Sequence, residues 1–126
     1  MSKRILLIDD DIAHLVSTRG LLEAEGYVVF THTQGFGTTN LVKQIRPDLV
    51  LLDVNMPGLS GENLAGVLKA NSATRDTAIF FYSSNDEDAL RAAVKRFGVD
   101  GYVSKGNTAQ LRTKVAQLLS VEGFSG

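Results

Sequence analysis

The sequence predicts an α/β fold, a (βα)5 doubly wound five-stranded parallel sheet. Three observations carry this reading: five short, unbroken apolar runs, helical spacing between them, and Gly or Pro at segment boundaries. The runs are Ile5-Leu6-Leu7-Ile8, Tyr27-Val28-Val29-Phe30, Leu49-Val50-Leu51-Leu52, Ile79-Phe80-Phe81-Tyr82 and Tyr102-Val103. Continuous rather than alternating runs describe strands buried on both faces, the habit of parallel sheets. Alternation with helical segments over short links implies helices on both faces of one sheet.

Each helix has its own marks. Ile12, Leu15, Val16 and Leu22 mark the first, with Asp11 as its N-cap. Leu41, Val42 and Ile45 mark the second; Gly35, Gly37, Thr38 and Thr39 disfavour its start. Pro47 ends it after Arg46. Leu64, Val67 and Leu68 mark the third. Leu90, Ala93, Val94 and Phe97 repeat at i, i+3, i+4, i+7 in the fourth, and Ser84-Asn85-Asp86-Glu87 before it has capping-box spacing. Leu111, Val115, Leu118 and Leu119 mark the fifth. Gly26 and Gly98 follow helical segments where a left-handed residue is wanted.

A chain of 126 residues suits one domain. We expect the domain at 1–120 and a short C-terminal tail at 121–126. There is no cysteine, which excludes disulfides and thiolate metal sites and fits a cytoplasmic protein. The apolar run Ile5–Ile8 is too short for a signal core or a membrane span. Net charge is −1 with scattered basic residues, so neither nucleic acid nor an anionic membrane is an expected partner.

Doubly wound sheets bind ligands beyond the carboxyl ends of their strands, where the strand order reverses. The first strand ends in Asp9-Asp10-Asp11 and the third in Asp53. With the flavodoxin-like order 2-1-3-4-5 these strands are neighbours, and up to four carboxylates converge on one edge. Without a cation they repel, and one takes up a proton. A hard cation relieves this, and an oxygen-only set beside a phosphate favours Mg²⁺. Asp11 is better read as the helix cap; Asp9, Asp10 and Asp53 are read as the site. The fourth and fifth strands place Ser83 and Lys105 on the same edge. Phosphoryl transfer to a carboxylate needs such parts: a positioned nucleophile, a metal, a fixed cation and a hydroxyl.

On these residues the chain resembles a receiver domain of two-component response regulators, of the stand-alone, chemotaxis-regulator-like kind, from about Arg4 to Leu119. The motif around the acceptor is Leu51-Leu52-Asp53-Val54-Asn55-Met56-Pro57-Gly58, with Gly61 following. The resemblance implies Asp53 as phosphoacceptor, and Mg²⁺ held by Asp9, Asp10, Asp53 and the backbone carbonyl of Asn55. It implies Ser83 as switch hydroxyl, Tyr102 as switch aromatic and Lys105 as signature lysine. It implies a switch that takes a phosphoryl group from a phosphohistidine on a histidine kinase or phosphotransfer protein. Output then passes to a downstream effector through protein–protein contacts, with no enzyme activity beyond the domain's own phosphoryl transfer and dephosphorylation. The fourth helix, fifth strand and fifth helix often carry such contacts in this family, which draws attention to Arg91 and Lys95; a solvated face explains the same charges. Whether the chain is a monomer stays open at this stage.

Three positions depart from the family pattern. Gly106 stands where proline usually follows the lysine, so a trans Lys105–Gly106 bond and an altered loop are expected. Ser83 stands where threonine is more usual and keeps the hydroxyl. Ser84 replaces a small residue, and helix capping accounts for it. Tyr102 could equally be a packing aromatic. Asn55 and Asn85 flank the pocket at positions that influence phosphoryl lifetime in the family; turn and helix-start roles also explain them. His14 and His32 are read as bystanders. Gly58 and Gly61 are read as serving loop geometry.

A pseudo-receiver, a protein-binding module independent of phosphorylation, is the main rival, and Gly106 gives it some weight. A haloacid-dehalogenase-like phosphatase would want a small residue and a hydroxyl after Asp-x-Asp, where Ile12-Ala13 stand, and room for a cap domain. A flavin carrier would want a phosphate loop where this chain is acidic, and would be coloured.

Overall fold

The computed structural model describes the backbone of residues 2–124 and the side chains of residues 2–120. Strands and helices alternate through the chain: β1 (Arg4–Ile8), α1 (Ile12–Ala24), β2 (Val28–His32), α2 (Thr38–Ile45), β3 (Leu49–Leu52), α3 (Gly61–Ala70), β4 (Ile79–Ser83), α4 (Glu87–Phe97), β5 (Gly101–Ser104) and α5 (Thr108–Phe124). The five strands form one parallel sheet in the order β2-β1-β3-β4-β5. The expected fold class and strand order are therefore both present. α5 extends into the stretch expected as a tail; the side chains of 121–126 lie outside the described residues.

The strands alternate between two cores. Leu6, Ile8, Val50, Leu52, Ile79 and Phe81 face α2, α3 and α4, where Val42, Leu64, Leu68, Leu90 and Ala93 are buried against them. Ile5, Leu7, Leu49, Leu51, Phe80 and Tyr82 face α1 and α5, meeting Leu15, Leu22, Leu111, Val115 and Leu119. Burial on both faces is why the runs of β1, β3 and β4 are continuous in the sequence; β2, at the sheet edge, departs from the expectation, with Val28 43% exposed.

Several local expectations hold. Asp11 caps α1, its side chain accepting from His14 N at 3.1 Å. Gly26 and Gly98 take positive φ at the ends of α1 and α4. α2 does begin late, at Thr38 after Gly37, and ends before Arg46, which itself takes φ 51° ahead of Pro47.

Three expectations need correction. Val67, read with Leu64 and Leu68 as marking α3, is 47% exposed. Ile12 and Val16, read as part of the buried face of α1, are 65% and 67% exposed. The buried stripe runs through Leu15, Thr18 and Leu22, so a threonine stands in the apolar face instead. Ser84 does not cap α4. Asp86 does, accepting from Ala89 N at 2.8 Å, a carboxylate two residues nearer the helix displacing the expected box.

Candidate functional site

The parallel ladder delivers the acidic residues to one edge. Asp9 follows β1 and Asp53 follows β3, adjacent strands at the point where the order reverses. The ladder continues past the assigned strands: Asp53 N donates to Ile8 O at 2.9 Å and Lys105 N donates to Ser83 O at 2.8 Å. These bonds fix the Cα positions before any side-chain contact is made. Gly61 adds a further constraint. A Cβ there would run into the Asp53 backbone carbonyl, so the loop closes on Asp53 only because residue 61 is glycine.

Asp9, Asp10 and Asp53 each bring a carboxylate oxygen within 4.8 Å of the others. Asp9 and Asp53 are buried and Asp10 is exposed. Lys105 reaches in from the end of β5, its Nζ 2.7 Å from Asp9 Oδ2 and 3.4 Å from Asp53 Oδ2. Asp9 Oδ2 is buried, paired in charge with Lys105 but without an aligned hydrogen bond. A buried, under-coordinated carboxylate oxygen among oxygen-only neighbours suits a hard cation.

The electrostatics divide the two buried carboxylates. Burial pushes Asp53 up to about 6; the Asn55 N–H and the Lys105 charge oppose this, and Asp9 adds to it. Burial also works against ionising Asp9, but Lys105 and the Asp11 N–H outweigh it and hold its carboxyl below the ordinary value. Burial lowers Lys105, yet Asp9 and Asp53 together raise its pKa above the usual lysine value. The surroundings thus favour the charged forms of Asp9 and Lys105 and work against ionising Asp53.

Around Asp53, Asn55 N donates to Asp53 Oδ1 at 3.1 Å. The buried Ser83 Oγ accepts from Asn85 N at 3.1 Å and Asn55 Nδ2 at 3.3 Å. Asn55 Nδ2 also donates to Asn85 Oδ1 at 2.8 Å, so the two asparagines join across the pocket mouth. Tyr102 stands further along β5, half-buried against the α2–α4 core. Lys114 lies 4.0 Å from its ring centroid and donates to its carbonyl at 2.6 Å.

The Lys105–Gly106 bond is trans, as expected. Gly106 has φ 87° in a turn closed by Asn107 N to Ser104 O at 3.3 Å. This third turn position is one where type II geometry wants glycine, and proline, held near φ −65°, has no access to it. The departure at residue 106 is a different turn that still delivers Lys105 to the carboxylates.

His14, read as a bystander, is a correction. Its Nδ1 lies 4.0 Å from Asp9 Oδ2 and 3.2 Å from Thr18 Oγ1, and its Nε2 lies 3.3 Å from the Tyr82 hydroxyl. The signal available in the sequence was Thr18 interrupting the Leu15–Leu22 stripe one turn after His14. His32 bonds to Phe36 O at 2.7 Å, shaping the loop after β2. Arg91 pairs with Asp88 and Glu87 on its own helix, as a solvated face would.

An acidic pocket paired to a single lysine, at the switch point of a 2-1-3-4-5 sheet, defines the class of this protein. Residues 5–116 match the response regulator receiver domain, and the chain belongs to that family. Receiver domains partner histidine kinases in two-component signalling and are not enzymes in the ordinary sense. The aerobic respiration control protein ArcA of Escherichia coli K12 is 29% identical over 117 residues, covering 92% of this chain and 48% of ArcA. The chain thus spans about half the length of that relative. The polar-differentiation response regulator DivK of Brucella anthropi is 28% identical over 109 residues, covering 83% of this chain and 85% of DivK. Among solved structures, a CheY-like receiver domain protein from Methanospirillum hungatei JF-1 is 27% identical with a TM-score of 0.84, each chain fully covered. Vibrio cholerae CheY4 shares the fold at a TM-score of 0.86 with 23% identity, covering 94% of this chain and all of that one. Among the described residues, no helix is long and apolar enough to cross a membrane.

Proposed function

We propose that this receiver domain is a phosphorylation-dependent switch in the cytoplasm, with Asp53 as the acceptor. One observation carries the reading: a buried Asp53 carboxylate with Lys105 Nζ at 3.4 Å and the Asp9 and Asp10 carboxylates beside it. Asp9, Asp10 and Asp53 would hold Mg²⁺, with the backbone carbonyl of Asn55 as a further ligand by family resemblance. When bound, the metal supplies charge neutralisation for the phosphoryl oxygens.

The chain's own residues do the rest. An Asp53 carboxylate oxygen attacks the phosphorus of a phosphohistidine on a histidine kinase or phosphotransfer protein. The O–P bond forms, the P–N bond breaks, and the electron pair returns to the imidazole nitrogen, which solvent protonates as needed. Lys105 offsets the negative charge of the transferring group. The new phosphoryl oxygens accept from the Ser83 hydroxyl, whose Oγ itself accepts from Asn85 N and Asn55 Nδ2. Drawing Ser83 inward vacates space that Tyr102 turns to fill, which biases the protein between two packings. The changed α4–β5–α5 surface then meets a downstream effector protein.

The test is intact-mass spectrometry after incubation with phosphoramidate, with and without Mg²⁺. The expected result is one Mg²⁺-dependent, base-labile phosphoryl adduct, absent in Asp53→Asn. No adduct and no Mg²⁺ binding would instead establish a pseudo-receiver that binds partners without phosphorylation.

A further inference from the structure

The turn after β5 imposes little on the lysine it carries. A Cβ built at Gly106 meets nothing within 4 Å, so no side-chain packing holds that turn position. Besides its ion pairs to Asp9 and Asp53, Lys105 meets one further neighbour. The Tyr82 ring sits 5.9 Å from Lys105 Nζ, within reach of a cation–π contact. Tyr82 points into the α1–α5 side of the sheet, where its ring is buried.

A tyrosine hydroxyl in that core needs partners, and it has two. Thr18 Oγ1 lies 3.2 Å from the Tyr82 hydroxyl, and His14 Nε2 lies 3.3 Å from it. Thr18 and His14 bond to each other at 3.2 Å, closing a three-residue ring of hydrogen bonds across α1 and β4. The His14 and Tyr82 rings meet edge to face, with centroids 5.1 Å apart. A small cavity of about 130 Å³ adjoins this group, lined in part by Thr18, Tyr82, Gly106 and Thr108. That space gives the Tyr82 ring room to shift if its hydroxyl is not held.

We propose that Tyr82 is a positioning residue for phosphoryl transfer: anchored by Thr18 and His14, its ring fixes the aim of Lys105. The inference rests on the role given to Lys105 in the proposed function. Tyr82 touches neither donor nor acceptor and acts through Lys105 alone.

The experiment measures the rate of Asp53 phosphorylation by phosphoramidate at saturating Mg²⁺, and Mg²⁺ affinity separately, on the full chain. Tyr82→Leu lowers the rate about tenfold, the scale of a modest misplacement of a catalytic group. Tyr82→Phe, which restores the ring without its anchor, lowers the rate about threefold. Thr18→Val has the effect of Tyr82→Phe and keeps the core volume, so it carries the test if Tyr82→Leu does not fold. Mg²⁺ affinity is unchanged in all three. In a Lys105→Met background, none of them lowers the rate further. Two results overturn the inference alone: wild-type rates in Tyr82→Leu and Thr18→Val, or an equal loss with and without Lys105. No adduct on the wild-type chain overturns the proposed function, and this inference with it.

Discussion

The two ends of the sheet use the same residue types for opposite purposes. At the amino edge, carboxylates finish the ladder. Asp48 Oδ2 accepts from Arg4 N at 2.7 Å, and Asp100 Oδ2 accepts from Ile79 N at 2.8 Å. Their own N–H groups return to Arg4 O and Ile79 O. Arg4 donates to Ile45 O, and Lys69 pairs with Asp100 at 3.9 Å. These charges stay at the surface and close orphan backbone groups. At the carboxyl edge, Asp9 and Asp53 are buried together, one oxygen of Asp9 lacks an aligned donor, and one lysine serves both. The first arrangement stabilises the fold. The second stores unfavourable charge that a cation can relieve.

The largest effect that sharpens this contrast is on transfer itself. Lys105→Met should slow phosphorylation by about a hundredfold, the cost of removing one preorganised charge from a transition state. Asp100→Ala, at the other edge, should leave the rate unchanged. Time-resolved intact mass reads both.

Stability should respond in the opposite sense. Asp53→Asn should stabilise the metal-free chain at pH 7.5 by about 1–3 kcal/mol, measured by urea melts in EDTA. Asp100→Ala should cost about 1 kcal/mol by losing one hydrogen bond to a strand N–H. Equal destabilisation by both would break the comparison.

The pH dependence follows from Asp53 being raised from 3.8 to about 6. Between those values the folded chain keeps a proton that the unfolded chain has released. Metal-free stability should therefore fall as pH rises through that window, and Asp53→Asn should flatten this slope. Asp9 is shifted the other way, so its contribution is present above its ordinary pKa and lost as pH falls through the lowered one. Mg²⁺ binding needs Asp53 ionised, so its stabilisation should grow from pH 5 to pH 7.5. At a concentration roughly tenfold above Kd it should reach about 1.4 kcal/mol.

The smallest expected effect concerns the asparagine bridge. Asn85→Ala removes the acceptor for Asn55 Nδ2 and opens the pocket mouth to water. The phosphoryl lifetime should shorten by less than tenfold, under about 1.4 kcal/mol of barrier, as read by decay of the adduct mass.

Sequence alone determined the fold class, the strand order and the chemical parts of the pocket. Unbroken apolar runs signal strands buried on both faces, and a residue just past such a run must stand at a strand end. That logic reaches Asp9, Asp53, Ser83 and Lys105, because it needs only position along the chain. The tertiary structure decided what depends on side-chain packing between elements distant in sequence. Thr18 rather than Val16 faces the core because the stripe of α1 is set by the sheet it lies on. His14, Thr18 and Tyr82 meet only when α1 crosses β4, 64 residues apart at the Thr18–Tyr82 contact. The raised pKa of Asp53 likewise has no counterpart in its local sequence. It arises from burial next to Asp9, and the β1–β3 pairing creates that burial.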